Sequence, residues 1–223
     1  MALSTATGES DTDAPVNGAP HRREIRFGAG WLAALLIAGL LLGACGALFA
    51  TRATTPGDSS AEAGFLRDMS THHAQAVSMA MTAHANSTDA GVVSLAADIA
   101  LTQHGQIGYM QAWLRDWGLS PTGSEPAMSW MPGAQGSLVG GLMPGMATPA
   151  QMAALREAKG KELDVQFLTL MRRHHLGGIH MAQEILRMSD NKDVTWLAQT
   201  MVTGQQGEIN LIDDLLKEAQ ARN

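Results

Sequence analysis

Two pairs of adjacent histidines, His72-His73 and His174-His175, are the residues whose types and spacing could bind a metal ion. Each pair has a methionine three residues before its first histidine and another seven residues after it. Residues at these spacings share one face of an α-helix. Thioether and imidazole ligands suit copper, particularly the cuprous ion, whereas iron or manganese would favour carboxylates. The candidate metal ligands are therefore His72, His73, His174, His175, Met69, Met79, Met171 and Met181.

The same residues also have a purely structural interpretation. A methionine at helical spacing commonly fills a core, and a buried histidine can be a hydrogen-bonded core residue. His180, just beyond the second pair, is a less favoured ligand. Polar residues within otherwise apolar stripes need partners, and we expect those partners to be the histidines of the neighbouring helix. These residues, which would either orient the imidazoles around a metal or close a metal-free network, are Gln103, Gln106, Gln205 and Glu208.

An internal repeat contains both histidine pairs. Residues 65–80 match residues 167–182 at a constant offset of 102 positions, with Phe, Met, His-His and Met-Ala in register. The offset persists further along, where Gln103-x-Gly105 corresponds to Gln205-x-Gly207. A constant offset without gaps indicates a duplicated structural unit.

The elements that carry these motifs are predicted to be long amphipathic helices. Apolar residues recur at three- and four-residue steps over about 60–85, 89–117, 161–188 and 193–219. Residues 118–147 contain four prolines and several Met and Gly residues, and we predict that they form a crossover between the two halves. After the crossover, Thr148-Pro149 with Gln151 predicts the start of a short helix. We therefore predict an all-α protein, a four-helix bundle built from two repeated hairpins over residues 60–221.

The N-terminal part has the pattern of a membrane anchor. Residues 1–26 are predicted to be a disordered cytoplasmic tail, 27–50 an uncharged transmembrane helix, and 51–59 a stalk. Three arginines before the apolar run place its N-terminal side in the cytoplasm, so the bundle would be extracytoplasmic in a bacterial cell membrane. Leu42-Gly-Ala-Cys45 also matches a lipobox, which leaves a lipoprotein attached through Cys45, or simple secretion, as alternatives.

Composition excludes several functional classes. The 223 residues carry a net charge of −6 without a basic face, so no nucleic-acid partner is expected. A single cysteine allows neither an intramolecular disulfide nor a zinc finger. Di-iron bundles use Glu-x-x-His, whereas this chain has Met69-x-x-His72, so the carboxylate ligand is missing. We therefore expect a protein without catalytic activity, with a ferritin-like redox enzyme as the less favoured alternative.

The doubled motif resembles the bacterial domain-of-unknown-function family 305. The resemblance lies in Met-x-x-His-His followed by Met-Ala, present twice, and in the Met143-x-x-Met146 crossover, and it covers about residues 60–220. It implies a ferritin-like four-helix bundle, exported or membrane-anchored, with copper binding in some members.

Two functions follow as expectations. The first is a membrane-anchored, extracytoplasmic bundle that binds copper through the histidine pairs for sequestration or transfer. The second is a metal-free structural or interaction module that docks on a membrane-protein complex. A second copy of the chain also stays open as a partner.

Overall fold

Six α-helices make up the computed structural model over the residues it describes, 28–133 and 138–222. Within these ranges the only extended pairing is one isolated bridge between Val139 and Leu142, so the all-α prediction is confirmed. The helices form two separate units, α1 and the bundle of α2 to α6. The bounds are α1 Ala29–Thr54, α2 Ala61–Asn86, α3 Ala90–Asp116, α4 Pro149–Glu157, α5 Gly160–Met188 and α6 Lys192–Ala221.

Helix α1 contains the apolar segment. Ala29–Leu48 spans 20 residues with a mean hydropathy of 2.2 and no burial against the protein. This length and composition fit either a membrane span or a signal sequence. The helix continues to Thr54, so the first four residues of the predicted stalk, 51–54, are helical. The predicted tail, residues 1–26, lies outside the described residues.

The four long helices pair as two hairpins. Helix α2 packs mainly on α3 and α5 mainly on α6, and the hairpins meet through α2 and α5, while α3 and α6 contact each other little. The short helix α4 begins with the predicted capping box: Thr148 accepts from the Gln151 N–H, and the Gln151 side chain accepts from the Thr148 N–H. It stops before Gly160, which opens α5 with a φ of +53°.

Matching hydrogen bonds show that the sequence repeat is also a structural repeat. Ser87 donates to Asp164 at 2.6 Å, and Ser189 donates to Glu62 at the same distance. Both members of the second bond are related to those of the first by the 102-residue offset. Each bond ties the turn of one hairpin to the first helix of the other hairpin, so the two halves pack with approximate twofold symmetry.

A polar layer divides the core of the bundle into two apolar clusters. The first, the α4-side cluster, includes Ile99, Leu155 and Phe167. The second, the crossover-side cluster, includes Phe65, Leu114 and seven methionines. Between the two clusters, each long helix contributes a pair of polar residues, which is either a histidine pair or a pair of Gln or Glu residues. These residues, which we call the histidine layer, are His72, His73, Gln103, Gln106, His174, His175, Gln205 and Glu208.

Candidate metal centre

The two histidine pairs meet where α2 packs on α5. All four imidazoles are buried, with at most 1% of any residue exposed. The rings of His72 and His174 lie 3.7 Å apart between centroids and are tilted by 31°, so they stack across the helix contact. His73 lies beside His72, with 6.5 Å between ring centroids. The structure thus brings together the histidine pairs, which the sequence separates by 102 positions.

Hydrogen bonds to oxygen acceptors fix the tautomers of three imidazoles. The Nε2–H of His72 donates to the Pro144 carbonyl oxygen at 3.0 Å. In the same way, His73 donates to Gln106 Oε1 at 2.7 Å and His175 donates to Glu208 Oε2 at 2.5 Å. Because these oxygens accept, each Nε2 carries a proton, and each Nδ1 presents a lone pair when its ring is neutral.

Four other ring nitrogens have no hydrogen-bond partner among the described residues. They are Nδ1 of His72, His73 and His175, and Nε2 of His174. Both amide atoms of Gln103 and Oε1 of Gln205 are also buried and unpartnered. Buried polar atoms without partners are energetically unfavourable. This concentration of them in one layer therefore fits a bound ion that accepts imidazole nitrogen ligands.

Three of the imidazoles are held neutral by their surroundings. Burial lowers the pKa of His72 to about 4, against the raising effect of the hydrogen bond to Pro144. Burial, together with repulsion from His72, lowers the pKa of His73 to about 3. Burial and the other three imidazoles also hold the pKa of His174 well below its ordinary value. A metal would therefore not compete with protons for these three imidazoles at neutral pH.

The candidate methionines flank the layer in two pairs. Met69 and Met181 belong to the crossover-side cluster, whereas Met79 and Met171 belong to the α4-side cluster. All four are fully buried. The cause is the approximate twofold symmetry, which places the leading methionine of one helix beside the trailing methionine of the other.

The donor set suits an ion with few protein ligands. Within residues 28–133 and 138–222, no three His, Cys, Asp or Glu side chains are grouped so that they could hold a metal ion. A carboxylate-rich site for iron or manganese therefore finds no support in this part of the chain. Buried imidazole nitrogens, with methionines in the apolar clusters on both sides of the layer, fit a softer ion such as copper.

A strap from the crossover, residues 143–147, covers the histidine layer. Besides the Pro144 bond to His72, the Gln75 side chain accepts from the Ala147 N–H at 2.6 Å and donates to the Ala147 carbonyl at 3.0 Å. A Cβ at Gly177 would lie 2.0 Å from the Pro144 oxygen, so glycine is required for this close approach. Gln75, Pro144 and Gly177 were not predicted from the sequence as parts of the site. The one available signal was the Gly177-Gly178 pair inside a long helix, where glycine is unfavourable.

Three other residues named from the sequence have separate positions. His180 is exposed and is therefore not part of the buried layer. Met143 is buried in the crossover-side cluster, and Met146 packs against that cluster while partly exposed. The strap methionines therefore border the crossover-side cluster, next to the layer.

Comparisons with known proteins agree with this architecture. The family model described as "Domain of unknown function (DUF305)" matches residues 62–216. A candidate secreted DUF305 protein of Streptomyces coelicolor is 43% identical, with a TM-score of 0.68, over 75% of this chain and 98% of its own. A DUF305 fragment from Deinococcus radiodurans is 34% identical, with a TM-score of 0.59, over 71% and 96%.

Copper-bound proteins share the fold at lower identity. CopM in its Cu(II)-bound form is 23% identical, with a TM-score of 0.55, over 71% of this chain and 97% of its own. CopM in its Cu(I)-bound form is 22% identical, with a TM-score of 0.56, over 71% and 96%. No curated protein matches the chain.

Proposed function

The chain belongs to the DUF305 family, and from that premise we propose that its bundle binds copper for sequestration or transfer. One observation carries the proposal: four buried imidazoles in one layer each have a ring nitrogen without a partner among the residues that the structure describes. In three of the rings the opposite nitrogen donates to an oxygen, which leaves the unpartnered nitrogen as the lone-pair donor when the ring is neutral. That is the arrangement in which an outer hydrogen bond orients a histidine for a metal.

The ion is expected to be copper because of the donors that surround the layer. Imidazole nitrogens from His72, His73, His174 and His175 would hold it, with help from the thioethers of Met69, Met79, Met171 and Met181. Since no three histidines of the described residues are grouped for a metal in this structure, the proposal requires these side chains to move together when the ion binds. CopM, whose fold is similar, has structures with Cu(II) and with Cu(I), which supports testing copper first. Copper would be the cargo of the protein, which would bind and release the ion without a catalytic step.

The proposed location is the outer side of a bacterial cell membrane. Helix α1 would serve as a single-pass anchor, with the arginines at positions 22, 23 and 26 keeping the N-terminus cytoplasmic. Lipidation of Cys45, which lies in α1 and is exposed, is the alternative attachment. The intact mass of the mature protein distinguishes the two, because lipobox processing would remove the residues before Cys45.

A copper titration of the purified full chain tests the function. We expect the wild type to bind Cu⁺ under anaerobic reducing conditions. The double variant H72Q/H174Q should bind Cu⁺ roughly 10- to 100-fold more weakly. The matched control H104Q/H180Q removes two exposed imidazoles and should bind as the wild type does. Near-UV circular dichroism checks that each variant is folded. Absence of copper uptake by the wild type, or equal uptake by both double variants, would contradict the proposal.

Exposed aromatic rings favour a second candidate, an interaction module. Tyr109 and Trp196 are 52% and 54% exposed and make an edge-to-face contact at 6.1 Å between α3 and α6. The ring centroid of Trp113 lies 6.0 Å from that of Tyr109, so the three rings form one aromatic patch. Tyr and Trp are enriched in protein interfaces.

Native mass spectrometry of the chain isolated from its own membrane tests this second function. A stoichiometric protein partner that is retained without metal and lost in Y109S/W196S would support it. A metal-loaded chain without a partner would instead favour copper binding. The variant H104Q/H180Q serves as a control, because it also changes two exposed side chains but leaves the aromatic patch intact.

A further inference from the structure

The two halves of the histidine layer have the same hydrogen bonds but different charges. In the first half, His73 donates to the amide oxygen of Gln106 at 2.7 Å. In the second half, His175 donates to the carboxylate of Glu208 at 2.5 Å. Gln106 and Glu208 are related by the 102-residue offset. At two equivalent positions, therefore, one histidine donates to a neutral acceptor and the other donates to an anionic acceptor.

The Glu208 carboxylate is positioned to act on an ion in the layer. Its side chain is only 15% exposed, and its one ion-pair contact among the described residues is with His175. No lysine or arginine in the described ranges neutralises it. A carboxylate on the Nε2–H of a histidine raises the basicity of the opposite nitrogen. Its charge also attracts a cation directly, more strongly for a divalent ion than for a monovalent one.

We propose that the α5–α6 half of the layer dominates metal binding, and that Glu208 sets both the affinity and the preference for a more highly charged ion. This inference rests on the proposed copper function and names the residue that tunes it. Glu208 acts as a positioning residue through His175, whose Nδ1 faces the layer without a partner. Gln106 leaves the α2–α3 half weaker, because an amide orients His73 without adding charge.

Exchanging the two acceptors tests the proposal without removing a hydrogen bond. Glutamine at 208 still accepts from His175, as Gln106 does from His73, so E208Q changes charge and leaves the tautomer fixed. The variants are E208Q, Q106E and the exchange Q106E/E208Q in the full chain. The control E157Q removes a charge from an exposed position on α4. The probes are Cu²⁺ in air and Cu⁺ under anaerobic reductant, each by competition titration.

We expect E208Q to weaken Cu²⁺ binding by roughly 10- to 100-fold and Cu⁺ binding by less. Q106E should tighten Cu²⁺ binding, and the exchange should restore the wild-type affinity for Cu²⁺ to within a few-fold. A structural defect would lower both affinities together and would not be rescued by the exchange. Thermal unfolding without metal checks that E208Q is folded.

The outcomes separate this inference from the proposed function. If the wild type binds copper but E208Q behaves like E157Q, or loses Cu²⁺ and Cu⁺ affinity equally, the role of Glu208 is overturned and copper binding stands. If the exchange fails to rescue E208Q, charge is not the determinant and the inference also fails. If the wild type binds neither ion, the proposed function and this inference fail together.

Discussion

Acidification of the metal-free protein is expected to unfold the bundle as the pH falls from 6.5 towards 4. Burial lowers the pKa of His72 from 6.5 to about 4 and that of His73 to about 3, and the pKa of His174 is also well below 6.5. Below pH 6.5 these histidines become protonated in the unfolded chain, whereas in the folded chain they stay neutral. The folded state therefore loses free energy relative to the unfolded state as the pH falls through this window.

The size of the effect follows from the number of buried imidazoles. Each histidine lowers the free energy of unfolding by roughly 1.4 kcal/mol per pH unit within its window. Three histidines together give roughly 4 kcal/mol per unit, against a typical total stability of about 5–15 kcal/mol. Asp68 acts in the opposite direction, because burial raises its pKa and the folded state then gains stability on protonation. One such carboxyl does not offset three histidines.

Urea unfolding followed by tryptophan fluorescence, in the presence of a chelator, measures this dependence at several pH values. The variant H73Q should reduce the slope of stability against pH by about a third, since one of three buried imidazoles is gone. The control I99V should lower stability by about 1 kcal/mol at every pH and leave the slope unchanged. A stability that stays flat or rises between pH 6.5 and 4 would contradict the neutral, buried state of the imidazoles.

The second large effect is expected from Gly177→Ala. A Cβ at this position would lie 2.0 Å from the oxygen and 2.4 Å from the carbon of the Pro144 carbonyl. These are backbone atoms, so the strap must move away from α5. The movement would break the bond from His72 to Pro144. Overpacking of this kind typically destabilises by roughly 1–3 kcal/mol, and the lost hydrogen bond adds about 1 kcal/mol.

A matched substitution shows whether the strap or the helix is responsible. Gly105 lies in α3 with nothing within 4 Å of an added Cβ. Gly105→Ala should therefore stabilise the bundle by about 0.5–1 kcal/mol, because alanine favours a helix over glycine. Amide hydrogen exchange at Ala147, whose N–H donates to Gln75, should accelerate in Gly177→Ala only. Stabilisation of both variants would show that the strap does not pack on α5.

The helical framework could be predicted because its signals are local. The apolar stripes, the Thr148 capping box and the break at Gly160 each depend on residues a few positions apart. The pairing of the hairpins was also accessible, since the constant offset of the repeat implies equivalent helices. The polar partners of His73 and His175 followed from the need of buried polar groups for hydrogen bonds, and the structure places Gln106 and Glu208 there.

The remaining parts of the site depend on long-range packing. The four methionines separate into two pairs because of the relative direction in which α2 and α5 pack. The periodicity of apolar residues along one helix does not predict that direction. The strap binds His72 through the backbone carbonyl of Pro144. A carbonyl group is present in every residue, so no side-chain pattern identifies the one that is used. The continuation of α1 to Thr54 likewise follows no strong local signal.

The polar layer also has a consequence for how two such similar hairpins find the correct alignment. Sliding α5 along α2 by one turn, about 5.4 Å, would move His174 off His72 and towards an apolar neighbour. It would also pull the Ser87–Asp164 and Ser189–Glu62 bonds apart. An apolar core alone would tolerate such a shift more easily. The layer therefore acts as a register mark, which disfavours misaligned hairpins within one chain and exchanged hairpins between neighbouring chains.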